Sequence, residues 1–119
     1  MNQDRRFILI LLCVIAIVLL LNQNREHFTG HKVFRMYYTN WCGWSRKALP
    51  EFKRLGSEVT TAKGEKIKVQ LVDCQLNQDL CNKRRIEGYP TLQLESSNGI
   101  KEYNGEREYN SMLSFLRNQ

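Results

Sequence analysis

From Phe7 to Leu21 (residues 7–21) every position is apolar, and nowhere else in the chain does an apolar run last more than a few residues. Residues 22–30 are polar and end on the breaker Gly30. A mostly apolar stretch from His31 to Tyr38 then reads as a strand, and Ala48, Leu49, Phe52, Leu55 and Val59 fall at helical spacing on one face. Pro50 interrupts that helix and is expected to kink it. Residues 56–64 supply a loop between two glycines, Ile67 to Asp73 reads as a buried strand, and Leu76 to Arg84 as a short polar helix. Thr91 to Leu94, a turn over residues 96–99, and Ile100 to Tyr103 form a hairpin pattern. Tyr109, Met112, Leu113, Phe115 and Leu116 mark a last amphipathic helix. The element order is therefore β-α-β-α-β-β-α after the apolar run, with no internal repeat.

At 1.5 Å per residue the apolar run covers roughly 22 Å, short of a ~30 Å hydrocarbon core and within the range of a signal-peptide core. The exit sequence Leu20-Leu21-Asn22-Gln23-Asn24-Arg25 lacks the small residues a signal peptidase requires, so the run is expected to stay as a membrane anchor. The organisation expected is a basic flank over 1–6, a transmembrane anchor over 7–21, a polar linker over 22–30 and one small domain over 31–119. Arg5 and Arg6 before the run compete with Arg25, Lys32 and Arg35 after it, which leaves the orientation open.

The chemistry concentrates at Trp41-Cys42-Gly43-Trp44-Ser45, where the first strand turns into a helix. Free amides and the positive end of the helix dipole stabilise a thiolate at such a turn, so Cys42 is the candidate nucleophile. A dithiol enzyme carries a second cysteine three positions on; here that position is Ser45. Cys74 and Cys81, seven residues apart, either close a short disulfide loop or remain two small buried thiols, and pairing would favour an oxidising compartment. Cys13 is a bystander in the apolar run. His27 and His31 have no metal partner nearby, and no metal or cofactor is expected. Eighteen Lys and Arg against twelve Asp and Glu give +6. That excess reads as solvated helix faces with some affinity for anionic headgroups, and without a nucleic-acid motif no DNA or RNA binding follows.

The order of elements, with a cysteine at the first strand-to-helix turn and a proline before the third strand, resembles the thioredoxin fold. Trp41-Cys42-Gly43, Arg46-Lys47, Pro50-Glu51, Val72-Asp73-Cys74, Cys81-Asn82-Lys83, Gly88-Tyr89-Pro90-Thr91 and Tyr103-Asn104-Gly105 with Arg107 and Tyr109 are similar to a protein disulfide isomerase domain carrying a monothiol Cys-x-x-Ser motif. The resemblance implies a cis Pro90 facing Cys42, a substrate groove of Trp41, Gly43, Trp44, Tyr89, Pro90 and Thr91, catalytic roles for Cys42 and Ser45, and a structural disulfide between Cys74 and Cys81. It also implies a buried acid six residues before the nucleophile, where this chain has Met36. The first strand and helix of the fold are missing from the pattern, so a shortened α/β fold is expected. Its mixed sheet would have about four strands, with residues 66–73 as an open edge blunted by Lys66 and Lys68.

The function expected is that of a membrane-anchored monothiol thiol-disulfide oxidoreductase, or a protein that retains clients as mixed disulfides through Cys42, with its domain on an extracytoplasmic, oxidising side such as the endoplasmic-reticulum lumen. Its partners are then the membrane and disulfide- or thiol-containing clients. The alternative is an inactive thioredoxin-fold scaffold. Resemblance to small membrane-anchored thioredoxin-like proteins of large DNA viruses would make that scaffold a virion component at an internal membrane, with capsid or membrane assembly partners.

Overall fold

The computed structural model describes residues 2–26 and 31–119, with residues 22–26 as backbone only. The chain divides into two compact units, residues 1–30 and 31–119. The first consists of helix α1, Gln3–Glu26, in which all the large apolar side chains from Phe7 to Leu21 are exposed. Because α1 continues through residue 26, the linker expected from residue 22 is helical at its start, and residues 27–30 of that expectation lie outside the described residues. Among the described residues no helix is long and apolar enough to cross a membrane. The apolar run reaches only ~22 Å of a ~30 Å core, and Asp4, Arg5 and Arg6 precede it on the same helix.

The second unit begins with strand β1, Lys32–Tyr38, followed by helix α2, Gly43–Lys53, and a short strand β2, Glu58–Thr60. Strand β3, Lys66–Asp73, and helix α3, Gln78–Lys83, come next. The hairpin β4, Thr91–Ser96, and β5, Gly99–Tyr103, precedes the closing helix α4, Tyr109–Arg117. The strands form one mixed sheet in the order β2-β3-β1-β4-β5. β1 runs parallel to β3 and antiparallel to β4, with Phe34 opposite Val69 on one side and Leu94 on the other.

Four expectations are corrected here. The sheet has five strands rather than about four, and β3 is not an open edge, because β2 pairs with it antiparallel, Glu58 opposite Lys68 and Thr60 opposite Lys66. Val59, expected on a helix face because it lies four residues after Leu55, is instead in a strand. The helix has already stopped: Gly56 takes φ +75, a left-handed conformation that glycine adopts at little cost, and the chain leaves in an extended direction. Val59 then enters the same core as a strand residue. The hairpin closes through Gly64 at φ +87 and the Thr61 N–H to Glu65 carbonyl bond of 2.7 Å, and the Lys66 ammonium lies 3.8 Å from Glu58. The lysines expected to blunt an edge thus face a carboxylate on the strand that covers it. Helix α2 continues through Pro50 rather than breaking there.

One sheet face is packed by α2 and α4. Phe34, Met36, Ala48, Phe52, Val59, Ile67, Leu92, Leu94, Met112 and Leu116 form a buried core there. Phe34 lies at its centre, its ring 5.6 Å from Phe52, 5.9 Å from Phe115 and 6.0 Å edge-on to Tyr103. Alternation along β1 sends Tyr37 to the other face, where it joins Val72, Cys74 and Cys81 in a smaller cluster flanked by Leu80, Ile86 and Tyr89. Beyond that cluster the face is polar. Glu95 on β4 pairs with both Arg35 on β1 and Arg84 just past α3.

Candidate functional site

Cys42 caps α2. Its backbone is extended, φ −84 and ψ 122, and the first amides of α2 have no intrahelical partners. The thiol is half-buried and unpaired, and it points its hydrogen at the carbonyl of Tyr89, 3.6 Å away. In this protonated form no cap bond to the sulfur is complete. The surroundings favour the thiolate, and the Cys42 pKa lies below the ordinary thiol value. The largest cause is the Ser45 backbone N–H; desolvation opposes it, and the Trp44 N–H, the Ser45 hydroxyl and the Arg46 charge add to it.

Ser45 is fully buried one turn into α2. Its Oγ accepts the backbone N–H of Thr39 at 3.4 Å, which ties the end of β1 to the first turn of the helix. Serine thus fills the position from which a second thiol would attack a mixed disulfide on Cys42, and its hydroxyl is not a redox group. Met36, at the site where the resemblance implies an acid, is fully buried in the apolar core.

The Tyr89–Pro90 bond is cis, and the turn that carries it is held by a 2.7 Å bond from the Thr91 hydroxyl to the Gly88 carbonyl. Trp41 stands edge-on to Tyr89, ring centroids 5.9 Å apart, while Trp41 and Trp44 are each about two-thirds exposed (64 % and 66 %). The structure therefore joins Tyr89 to the Cys42 sulfur through its carbonyl and to Trp41 through its ring, with Pro90 and Thr91 next in the Tyr89 turn and Gly43 and Trp44 opening α2. Cys74 and Cys81 form a disulfide, Cα atoms 5.8 Å apart, at the junction of β3 and α3. Among the described residues no cluster of three or more His, Cys, Asp or Glu is placed to hold a metal.

Two contributors have roles that the sequence does not disclose. Arg107 donates to the Pro90 carbonyl at 3.3 Å, and the Glu51 carboxylate accepts the Tyr109 N–H at 2.8 Å, fastening α4 to α2. Both residues stand inside recognised motifs, but their partners are 17 and 58 positions away and only chain closure reveals them. Two cavities are lined by neighbours of Cys42 in the chain, one by Trp44 and the other by Trp41. One of about 670 Å³ is lined by Trp44, Lys47, Glu51, Glu106, Arg107 and Glu108 among others, and one of about 360 Å³ lies beside Trp41, Tyr89 and the disulfide.

Residues 23–118 match the thioredoxin family model. The chain is 35 % identical over 89 residues, 72 % of its length and 24 % of the relative's, to protein disulfide-isomerase 1 of Dictyostelium discoideum. It is 30 % identical over 105 residues, 87 % of its length and 17 % of the relative's, to a probable protein disulfide-isomerase A4 of Caenorhabditis elegans. The chain thus spans about a quarter or less of these relatives. Among solved structures, human ERp44 superposes with a TM-score of 0.62 at 23 % identity over 75 % of this chain and 25 % of that one. The first thioredoxin domain of mouse protein disulfide-isomerase A4 does so at 0.58 and 26 % identity, over 72 % and 61 %.

Proposed function

The chain belongs to the thioredoxin family, and from that membership we propose that it is a membrane-anchored monothiol protein that captures disulfide-bearing clients on Cys42. The observation that carries this reading is the site itself: a half-buried thiol of lowered pKa at a helix start, aimed at the carbonyl before a cis proline, with a buried serine where a resolver would stand. The Cys42 thiolate attacks one sulfur of a client disulfide. A new Cys42–client disulfide forms, and the client's other sulfur leaves as a thiolate that takes up a proton. Cys74 and Cys81 are paired with each other and Ser45 has no thiol, so an external thiol releases the client. Until that thiol arrives the client is retained.

The membrane part of the reading rests on α1. An exposed helix that is apolar on every side fits lipid better than water. Its apolar run, ~22 Å at 1.5 Å per residue, is short of a ~30 Å core, so the anchoring proposed here takes a thinner membrane with the polar ends of α1 at the headgroups. The Cys74–Cys81 disulfide supports an oxidising, extracytoplasmic location for the second unit. The missing resolver is also what an inactive scaffold would show, for example a virion component that uses the tryptophan-flanked groove only for assembly.

The test is capture. The full chain in lipid nanodiscs, incubated with a disulfide-bearing peptide, gives a peptide adduct on Cys42 by non-reducing mass analysis, and Cys42→Ala gives none. An unmodified Cys42 at every peptide concentration overturns capture and leaves the scaffold.

A further inference from the structure

The cavity lined by Trp44 and the cavity lined by Trp41 differ in chemistry. On the Trp44 side five of the lining residues carry charge: Lys47, Glu51, Glu106, Arg107 and Glu108. On the Trp41 side the lining is Thr39, Trp41, Gln75, Gln78, Asn82 and Tyr89 over the Cys74–Cys81 disulfide, with no charged residue at all. Tyr89 joins this cavity to the nucleophile, because its carbonyl faces the Cys42 thiol and its ring meets Trp41.

We propose that the uncharged cavity is a specificity subsite, which takes an uncharged, hydrogen-bonding residue of the client (Gln, Asn, Ser or Thr) next to the client's reacting cysteine. The inference rests on the capture reading and adds to it which clients are captured. Gln75, Gln78 and Asn82 are exposed, and among the described residues none of their side-chain amides has a hydrogen-bond partner. Each offers both a donor and an acceptor to an occupant. Thr39 is 2 % exposed and lines the same cavity, and its hydroxyl oxygen is buried without a partner. A client tethered through Cys42 has its neighbouring side chain near these groups, since Tyr89, whose carbonyl meets the Cys42 thiol, also lines the cavity. A lysine or glutamate there loses hydration and finds no counter-charge, whereas an amide or hydroxyl trades water for the free amides. On the Trp44 side both signs of charge are present, so either sign on the client's opposite flank is accommodated.

The probe is a panel of single-cysteine peptides, each activated as a mixed disulfide with a small aromatic thiol. The residue before or after the cysteine is varied among Gln, Ser, Lys and Glu, and the panel reacts with the full chain in nanodiscs. A flank-free aromatic disulfide reports Cys42 chemistry alone. At one flank the Gln and Ser peptides form the Cys42 adduct about fivefold faster than Lys or Glu, the scale of one uncompensated charge near a surface, and the other flank tolerates charge. Gln78→Glu, on an exposed position, makes the Lys peptide faster than the Glu peptide at that same flank only. Rates independent of both flanks, or a Gln78→Glu profile like that of the parent, overturn the subsite while capture stands. If the flank-free disulfide and all peptides leave Cys42 unmodified, the capture reading falls and the subsite with it.

Discussion

Two cysteine regions of this chain are built on the same local plan and reach opposite ends. Cys42 follows β1 and opens α2; Cys74 follows β3 and is tied to Cys81 in α3. At the first, an eleven-residue helix supplies free amides to a half-buried, unpaired sulfur. At the second, the helix is six residues long, both cysteines are 4 % exposed, and each is the other's partner. A strand-to-helix turn alone therefore does not make a cysteine reactive. The reactivity proposed for Cys42 rests on access, a helix long enough to present unpaired amides, and the lack of a partner thiol, which Ser45 preserves.

The largest effect expected is loss of the reactive region alone. Cys42→Ala abolishes peptide adducts completely. It leaves the free energy of urea unfolding unchanged within a few tenths of a kcal/mol, because a half-buried cap residue without a side-chain cap bond adds little to the helix. A loss of stability above about 1 kcal/mol would show that the sulfur is part of the fold and weaken the contrast between the two regions. Next in size, Ser45→Cys should convert capture into turnover. The introduced thiol attacks the Cys42–client disulfide, forms an intrachain disulfide with Cys42 and frees the client thiol, shortening the adduct's lifetime at least about tenfold. The gain is partial, since Met36 offers no base to deprotonate a thiol buried at position 45. An adduct as long-lived as the parent's would mean that position 45 cannot reach the mixed disulfide.

The second region answers to stability instead. Replacing both Cys74 and Cys81 by Ala removes a short cross-link and costs roughly 2.5 kcal/mol on the loop-closure account, measured by urea unfolding, while Cys42 alkylation keeps its rate. Slower alkylation would show that the disulfide also shapes the reactive site through Tyr89, which packs against it. A smaller effect with the opposite sign is expected just beyond α3. The Ile86 N–H bonds the Cys81 carbonyl and the Arg85 N–H bonds the Asn82 carbonyl, a pattern that places its turning residue in the left-handed region. Arg85 occupies that place at φ 55, where glycine is usual. Arg85→Gly should raise stability by about 0.5–1 kcal/mol, read as a higher urea midpoint without a change in capture.

The placement of the Cys42 region is legible in the sequence to a degree that the rest is not, and the reason is physical. Cys42, Ser45, the Gly88-Tyr89-Pro90-Thr91 turn and the Cys74 and Cys81 positions are local motifs whose chemistry depends on near neighbours in the chain. Strand β2 escapes the pattern because three residues give no period, and because Val59, placed four after Leu55, satisfies a helical spacing equally well. Leu76 fits the expected start of α3, yet it is 83 % exposed in the turn before it: an apolar residue with nothing to pack on. The Arg35–Glu95–Arg84 pairing and the Arg107 contact to Pro90 join residues far apart in the chain. Their charges are visible in the sequence, but their partners depend on strand order, which local pattern does not specify.

The finest distinction between the two regions is in proton binding, because paired cysteines do not titrate and Cys42 does. Its pKa is lowered, first by the Ser45 N–H and then by the Trp44 N–H, the Ser45 hydroxyl and the Arg46 charge, acting against desolvation. The folded chain therefore holds the thiolate more readily than the unfolded chain. Cys42 alkylation in the native protein should rise with pH with its midpoint below that of the urea-unfolded protein, which should titrate as an ordinary thiol. The sign for stability follows from linkage: a group whose folded pKa is depressed contributes its full share above the unfolded pKa and loses it as pH falls through the folded one. Lowering the pH across that window should slightly reduce the urea midpoint of the parent chain and spare Cys42→Ala. In Arg46→Gln the alkylation curve should move up only slightly, since the Arg46 charge ranks last among the causes and is screened by solvent. If native and unfolded chains instead share one alkylation curve, the helix start confers no reactivity, and the contrast between the two cysteine regions reduces to one of access.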